Sequence, residues 1–99
     1  KAVSLITKAL AQNPDDAGYL DTYGWILYKQ KKYAEAKTQI EKSLQYGGEK
    51  DPAISEHYGD VLFQLGETDN AMEYWLKAKA MNPDSEFLDK KIAEKKLYE

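Results

Sequence analysis

The stretch Tyr19-Leu20-Asp21-Thr22-Tyr23-Gly24-Trp25-Ile26-Leu27-Tyr28-Lys29-Gln30 contains a pair, Tyr23-Gly24, that returns as Tyr58-Gly59. Around each copy the same spacing holds. A bulky apolar residue stands three positions after Gly (Leu27, Leu62), Ala stands twelve after it (Ala36, Ala71), and a large apolar residue sixteen after it (Ile40, Trp75). Working outward, Asn13-Pro14-Asp15 and Asn82-Pro83-Asp84 lie 69 residues apart, one step of 34 plus one of 35. A period near 34 means that one small structural unit is copied along the chain. Such a period points away from a compact enzyme core and towards a helical solenoid.

Helical periodicity fills the intervals between the turns. Ala2, Val3, Ile6, Ala9 and Leu10 give one apolar face ahead of Asn13-Pro14, where Pro disfavours helical geometry in the residue before it. Asp15 and Asp16 then offer an N-cap to a helix over about 17–29, with Leu20, Tyr23, Gly24 and Leu27 facing inward. A third helix, about 32–46, follows a very short turn near Lys31. Gly47-Gly48-Glu49-Lys50-Asp51 is the clearest break, and Asp51-Pro52 pairs an N-cap residue with Pro at the first helical position. Helices over about 52–65 and from Glu67 or Thr68 to Asn82 come next. A final helix over about 84–98 has only Phe87, Leu88, Ile92 and Tyr98 as a packing stripe. Its Asp89, Lys90, Lys91, Glu94, Lys95 and Lys96 are expected to form a solvated face, as the end of a solenoid needs.

The expected organisation is therefore a single domain over 1–99. It comprises the second helix of a truncated repeat (1–13), full repeats at 17–50 and 52–83, and a capping helix at 84–99. On this reading the chain is a fragment or processed form. The first helix lacks its mate, so Val3, Leu5, Ile6 and Leu10 are expected to make a sticky N-terminal face.

Composition narrows the function classes. The net charge is −3, and all 14 basic residues are Lys, so there is no guanidinium fork for bidentate phosphate or base contacts. Without a basic stripe, nucleic acid is not expected as a partner. No apolar run approaches the roughly 20 residues that span a bilayer, so no direct membrane insertion is expected. With no Cys there is neither a disulfide framework nor a thiolate metal site, which suits a reducing cytosol and an oxidising periplasm equally. His57 is the sole histidine, and a stable transition-metal site needs three or four converging ligands. It is read as structural or solvent-facing. Ser55 does not share its helical face, the Asp15-Asp16 pair suits capping, and no glycine sits in a phosphate-binding loop. No catalytic, cofactor-binding or metal-binding residue is expected.

Tyr19 to Gln30 with Tyr33-Ala34-Glu35-Ala36, and Ile54 to Leu65 with Asp69-Asn70-Ala71 and Asn82-Pro83, resemble two tetratricopeptide repeats. The resemblance covers essentially the whole chain. It departs from the family pattern at Leu20 and Ser55, where a large aromatic is usual, and at Gly47-Gly48, which replaces a terminal Pro with one residue inserted. It implies an all-α, right-handed superhelix of antiparallel helix pairs that binds a partner in a concave groove and has no chemistry of its own. Mapped onto this sequence, the implied groove residues are Asp21, Trp25, Tyr28 and Lys29, then Glu56, Asp60, Phe63 and Gln64. Family members that grip acidic tails present Lys and Asn there. Here Asp21, Trp25, Glu56 and Asp60 stand instead, so a basic amphipathic peptide or helix is the expected partner. The alternative is a structural C-terminal segment of a longer superhelix, or a self-association module. For Trp25 a partner hot spot and packing near Asp60 or His57 both stand open; Trp75 is expected in the core. A looser likeness to C-terminal repeats of bacterial proteins, some of them lipoproteins, implies a periplasmic or membrane-associated parent.

Overall fold

Asp16 and Asp51 show how the helices are started. The computed structural model, which describes residues 2–94, places each carboxylate over the first turn of a helix. Asp16 Oδ1 accepts from the Tyr19 amide at 3.0 Å, and Asp51 Oδ1 accepts from the Ala53 amide at 2.9 Å with Pro52 opening the helix. Six α-helices result among the described residues: α1 (Ala2–Gln12), α2 (Ala17–Lys29), α3 (Tyr33–Gln45), α4 (Pro52–Gln64), α5 (Thr68–Met81) and α6 (Glu86–Glu94). One 3-10 turn, Gly48–Lys50, precedes α4, and no strand occurs among the described residues. The side chains of Ala2, Val3, Phe87 and Glu94, and Lys95, Lys96 and Tyr98 altogether, lie outside what is described, and so do the packing and solvated-face roles expected of them.

The copied sequence pattern becomes a copied packing contact. Gly24 lies against Ile40 and within 3.3 Å of the Ala36 carbonyl, measured from where a Cβ would stand, and Gly59 lies likewise against Trp75 and 3.1 Å from the Ala71 carbonyl. A methyl group at either position would collide with the facing side chain. The Gly, the Ala twelve later and the large residue sixteen later are thus one interface, in which α2 approaches α3 and α4 approaches α5. Ala36, Ile40, Ala71 and Trp75 are fully buried there, as expected for Trp75.

The two hairpins are also closed by the same turn. Lys31 and Gly66 occupy equivalent positions 35 residues apart and both have left-handed backbone, φ 65° and 84°. After each, the chain returns an amide to the helix it has left: Lys32 to the Leu27 carbonyl and Glu67 to the Leu62 carbonyl, both at 2.9 Å. Those bonds give the Leu27 and Leu62 carbonyls a second partner beside the Gln30 and Leu65 amides and close each helix end.

Between the hairpins, the inserted Gly47 adopts φ 105° and lets the chain turn into the 3-10 segment. Gly48 is buried against Ser43, whose hydroxyl donates to the Ala17 carbonyl at 2.7 Å. Ile54, Tyr58, Val61 and Leu62 of α4 then pack in one core with Leu27, Tyr28, Ala36 and Ile40 of the first hairpin. The array is elongated, 40 × 25 × 19 Å. At its N-terminal end Ile6 is buried, whereas Leu5 is 71% exposed. The apolar positions of α1 are thus divided between two faces.

Candidate functional site

The eight expected groove residues fall into two clusters that meet on α4. The first lies between α2 and α4. The Trp25 ring stacks on His57 at 4.1 Å between centroids and on Tyr28 at 4.5 Å, with Lys29 Nζ 5.1 Å from its centre. Asp21 accepts from His57 Nδ1 at 2.9 and 3.1 Å; because a carboxylate only accepts, Nδ1 carries the hydrogen. Gln64 donates to the Tyr28 hydroxyl at 3.4 Å. Trp25 and His57 remain half-buried, Lys29 and Gln64 are exposed, and Tyr28 is buried.

The second cluster lies between α4 and α6. Lys91 Nζ donates to Glu56 Oε2 at 2.7 Å and to Asp60 Oδ1 and Oδ2 at 2.9 and 3.1 Å. Asp60 also accepts from the Trp75 indole at 3.0 Å, and Phe63 stacks on the Trp75 ring at 5.7 Å. Asp60 and Lys91 are buried, 4% exposed each. Burial on its own would push the Lys91 ammonium down, but the Asp60 and Glu56 carboxylates outweigh it and hold the proton above the ordinary lysine range. Burial pushes the Asp60 carboxyl up, against the pull of Lys91.

One expectation is corrected here. Lys91 does not belong to a solvated face of α6; it points inward and pairs with two groove carboxylates. The cause is visible in register. Lys91 stands 34 residues after His57, and Glu56 stands 35 after Asp21. In both places a base on one helix reaches back to the acid of the preceding first helix. His57–Asp21 and Lys91–Glu56 are therefore the same contact, repeated. The repeat alignment carried that signal, but charge composition along α6 alone concealed it. Trp25 does pack near His57, as one of its two readings held, while staying half-buried.

Other polar groups are spent locally. The Tyr58 hydroxyl donates to Glu41 at 2.6 Å on the opposite side of α4, beside a 340 Å³ cleft lined by Glu41, Leu44, Gln45, Glu49, Tyr58 and Tyr74. Burial first, then the bond to Glu41, pushes the Tyr58 hydroxyl above its usual range. Among the described residues no group of three or more His, Cys, Asp or Glu is placed to hold a metal ion. No helix there is long and apolar enough to cross a membrane.

The stacked hairpins, their Gly–Ala contacts and the lateral polar seam are those of a helical repeat protein. Residues 1–89 match the Tetratricopeptide repeat family, and the chain belongs to it. It is similar to the TPR repeat-containing protein PA4667 of Pseudomonas aeruginosa (strain PAO1), with 47% identity over 45 residues. That match covers 46% of this chain and 8% of the relative, so the chain corresponds to a small part of that protein. Repeats of this family generally mediate protein–protein interaction and are typically non-catalytic scaffolds.

Proposed function

We propose that the chain holds a basic, amphipathic segment of a partner protein along the seam formed by α2 and α4. The observation that carries this reading is the half-buried Trp25, stacked flat on His57 and flanked by Asp21, Lys29 and Gln64. A half-buried aromatic held by stacking offers contact area at little entropic cost, and aromatic anchors of this kind dominate binding energies. Phe63 and Glu56 extend the surface across α4, while Tyr28 and Asp60 act from below by holding Trp25 and Lys91. Acidic groups along the seam favour a partner carrying Lys or Arg and disfavour an acidic tail.

Trp25 supplies its own readout, because Trp75 is fully buried and serves as the unchanging reference. Titration with a basic amphipathic peptide is expected to shift tryptophan emission, more weakly at higher salt, and Trp25→Phe removes that shift. An acidic C-terminal-tail peptide is expected to leave the emission unchanged. Tight binding of the acidic peptide would overturn the reading.

The second reading, a self-association or superhelix-extending segment, is favoured by one observation: Leu5 stands 71% exposed on α1. Since Ile6 is buried, Leu5→Glu is the cleaner probe of that face. Sedimentation that shows a concentration-dependent dimer, abolished by Leu5→Glu, supports this reading; a strict monomer at high concentration refutes it.

A further inference from the structure

Histidine is the side chain whose charge changes between about pH 5 and 8, and the single histidine of this chain stands in the α2–α4 seam. Its ring is held at one nitrogen and on one face. His57 Nδ1 donates to the Asp21 carboxylate at 2.9 and 3.1 Å, and Trp25 stacks on the ring at 4.1 Å with 21° between the planes. A neutral imidazole carries one N–H, so with Nδ1 donating, Nε2 keeps its lone pair and can only accept. Among the described residues no side-chain nitrogen or oxygen is buried without a hydrogen-bond partner, and His57 bonds through Nδ1. Nε2 therefore opens to solvent, on a side chain 26% exposed. The seam thus presents a fixed acceptor beside its aromatic anchor.

We propose that His57 Nε2 receives a Lys or Arg N–H of the partner segment, and that protonation of this ring releases the partner as the pH falls. The proposal rests on the reading of the seam as a site for basic amphipathic segments; it adds the group that senses the partner's charge and the regulation that follows.

The chemistry of the ring fixes the sign. Once protonated, the imidazolium has two donors and no acceptor, and its charge repels the cation it would have bound. The free chain accommodates that proton, because Asp21 accepts the charged Nδ1–H and the face of Trp25 lies against the ring. Proton and partner therefore compete for one position. Affinity is full above the histidine range and is lost as the pH falls through it.

The other charges around α4 are engaged elsewhere. Lys29 of α2 lies against Trp25, 5.1 Å from the ring centre, and Lys91 of α6 bonds Glu56 and Asp60 of α4 itself. On α5, Glu73 pairs with Lys77 and Lys79 with Asp89; Glu41 of α3 and Glu49 of the 3-10 turn border the cleft at Tyr58. The second repeat supplies a contrast. Lys91 makes the same backward contact with an ammonium that its carboxylates hold charged, whereas His57 makes it with a base that can lose its charge.

The test follows the anisotropy of a rhodamine-labelled amphipathic helix peptide of Leu and Lys, titrated with the full chain at pH 7.5 and 5.5. Kd is expected to rise roughly tenfold at the lower pH, one competing proton changing it by at most about tenfold per pH unit. A rise below about threefold overturns the proposal. His57→Gln, neutral at both pH values, is expected to bind more weakly at pH 7.5 and with a nearly flat profile; a profile as steep as the wild type's overturns it too. Should that variant fail to fold, two measurements on the wild type decide. The ring ¹⁵N shifts of the single histidine are expected to show the Nδ1–H tautomer in the free chain, and calorimetry in two buffers of different ionisation enthalpy is expected to show proton release on peptide binding near pH 6.5. An Nε2–H tautomer, or no proton release, contradicts the assignment. Trp25→Ala separates the two readings. Binding that needs Trp25 but ignores pH removes the His57 gate and leaves the seam standing. No binding at either pH, or binding indifferent to Trp25, sinks both.

Discussion

Gly24 and Gly59 are the residues on which the hairpins close, because a side chain at either meets Ile40 or Trp75. Ala at either position is expected to destabilise the chain by about 1–3 kcal/mol through overpacking, read as a lower urea midpoint. Lys31 makes the opposite case: it holds the left-handed turn that Gly66 holds in the second hairpin, and a Cβ there costs about 1 kcal/mol or more. Lys31→Gly is therefore expected to stabilise by about 0.5–1 kcal/mol, less what the more flexible unfolded chain gives back. An unchanged or lower midpoint would show that the turn is not strained. At this scale the sequence was informative where spacing carried the signal. The repeated Gly–Ala–large spacing marks the positions where the two helices of each hairpin come close. The turn at Lys31 was less legible, since Lys has no preference for positive φ and only the alignment with Gly66 reveals the demand. His57 and Lys91 were least legible, because a lone base carries no periodic signal until its repeat partner is identified.

Among the elements, α2 to α5 could be placed within a residue or two from caps, turns and periodicity. The exception is α6, described as Glu86–Glu94 within the expected 84–98, which turns Lys91 inward beside Leu88 and Ile92. Charge-rich helices are usually solvated on their charged side, and no near neighbour in the chain sets Lys91 apart; the reason lies in Glu56 and Asp60, more than 30 residues away. That pairing has a pH consequence. Lys91 and Tyr58 both keep their protons more tightly in the folded chain than in the unfolded one, whose ordinary values are 10.5 and 10.0. Above about pH 10 the native state thus binds more protons than the unfolded state, and stability falls as pH rises. Below that range both contributions are fully present. Urea melts between pH 8 and 11.5 are expected to show a midpoint falling above pH 10, and to fall less in Lys91→Met and in Tyr58→Phe. A wild-type midpoint level across that range would contradict the assignment.

For the whole molecule, stability is a sum over neighbouring hairpins, so each junction matters more than in a globular domain. The central junction, α3 against α4, is built from a mostly apolar core that includes Ile40, Ile54, Tyr58 and Val61, from the Tyr58–Glu41 hydrogen bond, and from the insertion at Gly47-Gly48. The seam between α2 and α4 is instead polar and aromatic, with Trp25, His57 and Asp21 in contact. That division of labour, apolar junctions for cohesion and a half-exposed polar seam for recognition, is the account's central claim. It is tested most directly by adding a basic amphipathic peptide to the ¹⁵N-labelled chain and mapping the chemical-shift changes. The account predicts that the Trp25 indole and the backbone amides of Asp21, Lys29, His57 and Gln64 move together, while those of Glu41, Glu49 and Tyr74 on the other side of α4 stay still. No shift at saturating peptide, or shifts confined to that opposite side, would contradict it.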